Sequence, residues 1–168
     1  MQPSSIKTLH PKLASDADSP ADATTGPPQD PKEEGLDRLA EVHTRVLDTL
    51  DGFDKLQEKA EPEFKPIALA FQQMHKGHER DLSDALVTAG REPEQDGSFF
   101  GGINRAMIEI RSWFEDVTAD VMDRVREGEK HVLDAYADAR AAPQSVEVNA
   151  MLARHVQEID VIMRKHSQ

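Results

Sequence analysis

Apolar residues recur at three- and four-residue intervals along five stretches of the chain. Leu39, Val42, Val46, Leu50 and Phe53 form one stripe and predict a helix from about Leu36 to Ala60. Phe64, Ile67, Phe71, Met74, Leu82 and Ala85 predict a second, from about Glu63 to Ala89. Pro62 and Pro66 frame the turn between them, where proline is tolerated in a helix's first turn. Gly90 suits the position just past the second helix, with Pro93 soon after. Phe99, Ile103, Met107, Ile110, Trp113 and Phe114 share one face of a third helix, "SFFGGINRAMIEIRSWFEDV", for which Ser98 is the N-cap. A fourth, from about Ala119 to Ala141, carries Val121, Val125, Gly128, Val132, Ala135 and Ala139, and Pro143 ends it. The last, capped by Ser145, carries Val148, Leu152, Val156, Ile159 and Ile162. Neither an alternating strand pattern nor a solenoid repeat is present.

The polar pattern sets the domain organisation. Residues 1–34, which include "LASDADSPADATTGPPQDPKEEG", have no apolar period and are rich in Pro, Asp, Ala, Ser and Thr. Such a segment buries too little surface to offset its ordering entropy, so 1–34 is expected to be a disordered acidic tail and 35–168 a helical bundle. The four long helices have narrow apolar stripes and charged outer faces, which implies an antiparallel four-helix bundle. Residues 90–118 are too many for a simple turn. A helix of roughly 18 residues spans about 27 Å, enough to carry the chain back along the bundle. That layout is the long crossover of ferritin-like bundles, so the expected fold is all-α and ferritin-like, with an extra helix between the second and third bundle helices. The crossover helix could instead lie on a membrane surface, but its charges nearly balance, which favours packing on the bundle.

Composition narrows the function. Of 168 residues, 38% are hydrophobic, only 5% aromatic and 31% charged, which leans helical. A net charge of −12 makes nucleic acid and anionic lipid poor partners and leaves cation binding open. The absence of cysteine removes disulfides, thiolate metal sites and cysteine nucleophiles. No apolar run approaches the roughly 20 residues of a membrane span, and no signal peptide is visible, so the expected location is cytoplasmic. Self-association through bundle faces is the expected partnership.

The stretches "LDGFDKLQEKAEPEFKPIALAFQQ", "AGREPEQDGSFFGGINRAMIEIRSWF" and "REGEKHVLDAYADA" together resemble a bacterial family of ferritin-like four-helix-bundle proteins carrying a domain of unknown function. That family's pattern has a Gly-Tyr pair in the first helix and Gly-Gly-x-Pro after the second. A Glu-Arg-Gly-Glu run follows in the next long helix, with Ala-Tyr downstream. Here the matching residues are Gly52-Phe53, Gly90-Arg91-Glu92-Pro93, Arg126-Glu127-Gly128-Glu129 and Ala135-Tyr136, and the resemblance covers about 36–166. It implies the fold, a link to stress physiology at most, and no settled activity.

Ferritin-like bundles often hold iron or manganese on glutamates and Glu-x-x-His pairs, since residues three apart share a helix face. This chain has no Glu-x-x-His in its long helices; it has His75-Lys-Gly-His78-Glu79 and the reversed His155-Val-Gln-Glu158. At about 100° per residue, His78 and His155 fall centrally on their stripes, His43 lies within the first, and Glu129 borders the third long helix's buried arc. His75 falls nearer an edge, Glu79 at the solvent boundary and Glu158 at the edge of its face, with Asp54 and Gln57 as further inward candidates. The candidate ligands are therefore His43, His78, Glu129 and His155, supported by Glu158, for iron, manganese or zinc. The same residues could instead form a metal-free hydrogen-bonded layer. No nucleophile–base pair, phosphate loop or dinucleotide fingerprint is visible. Two functions follow: a non-catalytic bundle acting through protein contacts, or a metal-binding bundle with oxidase or peroxide-handling activity.

Overall fold

A computed structural model of the chain describes residues 30–95 and 121–166. The proposed crossover helix, most of the expected tail and the Ser98 cap lie outside them. The described residues form four α-helices and no strand: α1 (Pro31–Lys59), α2 (Lys65–Thr88), α3 (Val121–Ala141) and α4 (Val146–Lys165). No helix among them is long and apolar enough to cross a membrane.

Helix α1 begins five residues before Leu36. The Asp30 carboxylate accepts from Lys32 N at 2.9 Å, Pro31 occupies the first turn, and Glu33 and Glu34 sit at the positive end of the helix dipole. Capping and charge thus start the helix before its apolar stripe does. Helix α2 ends at Gly90, whose φ of +85° is the left-handed conformation that glycine adopts without penalty. Gly90 N donates to Val87 O and Arg91 N to Leu86 O, both at 2.9 Å. Ser145 caps α4 by accepting from Val148 N at 3.2 Å.

Contacts between helices fix their directions. His43 meets Glu79 and Gln57 meets Lys65, so α1 and α2 are antiparallel. His78 meets Glu158 and Arg154 meets Asp81, so α2 and α4 are antiparallel as well. His75 reaches Glu129 and His78 reaches Tyr136, so α2 and α3 run the same way across the bundle. The start of α1 packs against the α3–α4 turn. Gln144 Nε2 donates to Gly35 O at 2.8 Å, and a Cβ at Gly35 would stand 2.0 Å from Pro143 O. Only glycine permits that approach.

Two apolar clusters fill the interior. One joins Leu39, Val42, Val46, Leu82, Leu86, Val132, Ala135, Tyr136, Ala139, Leu152 and Ile159. The other joins Phe53, Leu56, Ala60, Ala68, Phe71 and Val125, with Phe53 and Phe71 stacked at 5.4 Å. Along α2, the residues between Phe71 of one cluster and Leu82 of the other include His75 and His78. Along α3, Glu129 lies between Val125 and Val132. A polar layer therefore separates two oily ones.

Candidate functional site: a buried layer of histidine–carboxylate pairs

Four histidines are sealed in the bundle: His43 and His78 are 1% exposed, His75 and His155 are 0%, and Glu129 is 1%. An imidazole removed from water needs a partner, and each has one carboxylate. His75 Nε2 lies 2.8 Å from Glu129 Oε1, His78 Nε2 lies 2.9 Å from Glu158 Oε2, and His155 Nε2 lies 3.1 Å from Asp81 Oδ2. His43 Nε2 is 3.4 Å from Glu79 Oε1.

The expected ligand set divides accordingly. His78 and His155 come together, with rings stacked at 3.9 Å and 13°. Glu129 is joined to them through His75, whose ring meets that of His78 edge-on at 5.6 Å. His43 pairs with Glu79 instead. Among the described residues no three His, Asp or Glu side chains are placed to hold one metal ion. Asp54 is exposed and bonds Gln72 rather than turning inward, and Gln57 reaches the backbone of Lys65.

Three participants were not among the expected ligands. His75, expected at an edge, is fully buried and also stacks on Phe53 at 5.8 Å. The buried residues of α2 are Ala68, Phe71, Gln72, His75, His78, Leu82 and Leu86, a face turned one residue from the stripe drawn through Met74 and Ala85. The three- and four-residue steps from Phe71 through His75, His78, Leu82 and Leu86 were the available signal. Tyr136 is 0% exposed, and its hydroxyl lies 3.0 Å from His155 Nδ1 and 3.3 Å from His78 Nδ1. Asp81 is gripped by Arg154 Nη2 at 2.6 Å, and the same Nη2 lies 3.4 Å from His155 Nε2.

The electrostatics favour neutral rings. Burial, reinforced by the neighbouring His155, His75 and Arg154, pushes His78 down to about 2. Burial likewise lowers His155, although Asp81 opposes it. Burial raises the Tyr136 hydroxyl, and Glu129, Glu158 and Asp81 raise it further, so it stays protonated. Burial works to raise the Asp81 carboxyl, but its contacts with His155 and Arg154 outweigh that and hold it below its ordinary value.

The layer meets solvent at Glu79, 29% exposed beside His43, and more widely on the α2–α4 side. Between α2 and α4 runs a cleft of about 430 Å³, lined by Gly77, His78, Arg80, Asp81, Asp84, Arg154 and Glu158. The Glu158 and Asp81 side chains are 47% and 42% exposed, so the Nε2 edges of His78 and His155 lie one carboxylate away from water. The His75–Glu129 pair has no such route.

No curated protein and no solved structure matches the chain. A family model matches residues 34–142, from the first turn of α1 to the end of α3. Arg154, His155 and Glu158 on α4 lie beyond the matched stretch. With that match covering well over half of its length, the chain belongs to the family described as Domain of unknown function (DUF2383).

Proposed function

We propose that this protein is a non-catalytic, ferritin-like four-helix bundle that acts through protein contacts, including self-association along its bundle faces, and whose polar layer is metal-independent. The parallel run of α2 and α3 supports the ferritin-like layout, in which the second and third bundle helices point the same way. The carrying observation is the His75–Glu129 pair, 0% and 1% exposed with its two heavy atoms 2.8 Å apart. A substrate cannot reach it, and each buried imidazole already spends one nitrogen on a carboxylate. The layer works as a specificity device that sets helix register, the best-attested use of buried polar groups. Anaerobic loading with iron or manganese followed by elemental analysis tests this. The expected result is no stoichiometric metal; tight metal that disappears in His78→Ala overturns the reading.

A second reading, a ferritin-like metal-binding protein with oxidase or peroxide-handling activity, draws on one observation. His43 Nδ1, His75 Nδ1 and Glu129 Oε2 are buried without a hydrogen-bond partner, which leaves donor capacity for iron, manganese or zinc. The donor chemistry suits such ions, but these atoms are not gathered around one point. The same loading experiment separates the two readings.

A further inference from the structure

The outer face of α2 carries cations without acids between them. At about 100° per residue, Lys65, Leu69, Gln73, Lys76, Arg80 and Val87 fall within an arc of roughly 80° on the exposed side of the helix. They form a stripe about 33 Å long, at about 1.5 Å per residue. All six are exposed, the apolar Leu69 and Val87 by 42% and 59%. The acids of α2 lie elsewhere: Glu79 meets His43, Asp81 meets Arg154, and Asp84 falls at the edge of the stripe, on the side of the cleft. Arg38, Arg91, Arg126, Lys130 and Arg154 each rest on a carboxylate. Among the described residues none pairs with Lys65, Lys76 or Arg80, and Arg80 spends only its Nε, on Lys76 O at 3.2 Å. On a chain with a net charge of −12, three such cations in one line stand out.

The chain supplies a segment of matching charge. Residues 13–29 hold Asp16, Asp18 and Asp22 and no Lys, Arg or Glu. They lead into α1 at Asp30, whose backbone is extended at φ −61° and ψ 126°. That entry lies at the end of the bundle where α2 stops. Arg91, just past α2, bonds Asp37 in the second turn of α1 at 2.6 Å. Residues 13–29 reach at most about 55–60 Å, more than the length of the stripe. Asp22 is separated from Asp30 by about 26 Å of extended chain. Arg80 is separated from Arg91 by only about 16 Å of helix. Pro27 and Pro28 bias the part nearest α1 toward extended backbone.

We propose that the outer face of α2 is the docking surface of the protein's own residues 13–29, with Asp22, Asp18 and Asp16 running along Arg80, Lys76 and Lys65. The segment then points the same way as α2, and Pro27 and Pro28 lie over Val87. A single exposed ion pair contributes little. A tether raises the local concentration of the segment to the order of millimolar, so several weak contacts act together. Charge selects the occupant, and salt weakens its hold. This inference does not rest on the polar layer, so the result of the metal-loading experiment leaves it standing.

The chain has no cysteine, so Ala21→Cys gives the full protein one attachment point for a nitroxide spin label. Paramagnetic broadening of the backbone amides of ¹⁵N-labelled protein is then read along each helix. The exposed positions between Leu69 and Val87 are expected to broaden roughly threefold more than Glu127 and Asp134 on the outer face of α3. Lys76→Glu/Arg80→Glu is expected to remove that difference, as is Asp16→Asn/Asp18→Asn/Asp22→Asn. Salt at about 0.5 M, which screens charges beyond a few Å, is expected to do the same without any substitution in the stripe. Equal broadening on α2 and α3, or a difference that survives both charge reversal and salt, overturns the inference. Mixing ¹⁵N-labelled protein that carries no spin label with spin-labelled protein at natural abundance identifies the source. Broadening of α2 in that mixture comes from another copy's segment and overturns the inference too; its absence there supports docking within one chain.

Discussion

The two sides of the polar layer use the same chemistry in opposite settings. On the α2–α3 side, His75 and Glu129 are closed off from water together. On the α2–α4 side, equally buried histidines reach carboxylates that are nearly half-exposed, Glu158 and Asp81. Burial of both partners makes the first pair a matter of stability, because neither charge nor lone pair has water to fall back on. Exposure of one partner makes the second side adaptable: its carboxylates can move, be screened or change ligand at little cost.

The largest effect expected from this contrast comes from breaking the closed pair. His75→Ala leaves the Glu129 carboxyl buried beside a cavity and is expected to cost about 3–5 kcal/mol in urea or guanidinium unfolding. Changing both residues to leucine is expected to recover most of that loss. If the single variant unfolds like wild type, the closed pair does not have this role.

Acid acts next. His78 is held near 2 in the fold, against an ordinary value of about 6.5 for an unfolded chain. Below pH 6.5 the unfolded chain binds the extra proton, so the stability this ring contributes is fully present above that pH and lost as pH falls. The expected loss is up to about 1.4 kcal/mol per pH unit, or roughly 2 kcal/mol between pH 7 and pH 5. The lowered His155 adds to the loss in the same direction. His78→Gln should flatten the dependence; parallel curves for variant and wild type would remove His78 as its source.

A smaller change is expected from Tyr136→Phe, which strips one hydroxyl from two imidazoles. Its cost is about 1–2 kcal/mol, with the fold and the helix content by circular dichroism unchanged. The smallest belongs to Glu158→Gln, whose carboxylate is 47% exposed and whose replacement keeps an acceptor; less than about 1 kcal/mol is expected. A cost equal to that of His75→Ala would erase the distinction between the two sides.

Much of this arrangement was legible in the chain, and the rest was hidden for identifiable reasons. Periodicity located all four described helices. His43, His78, Glu129 and His155 are buried as their phases required, with Glu158 at the rim. The miss at His75 came from letting Met74 and Ala85 define the stripe. Hydropathy ranked them above a histidine, whereas the observed series runs through His75 and Leu86. Phase also cannot reveal partners. That His155 meets Asp81, and His43 meets Glu79, depends on how far each helix slides along its neighbour. Tyr136's part in the layer was hidden because its hydroxyl's two partners come from α2 and α4, neither of them its own helix.

The close approach of Gly35 to Pro143 has a kinetic consequence. The Gln144–Gly35 bond spans 109 positions in sequence, so it closes one of the largest loops in the chain. A contact that must wait for α1 and the α3–α4 turn to meet is expected after the folding barrier, not before it. Gly35→Ala, which would force its Cβ to 2.0 Å from Pro143 O, should therefore speed unfolding while leaving the folding rate almost untouched. The first turn of α1 then acts as a clasp: it does little to bring the bundle together, and much to decide how long it stays closed.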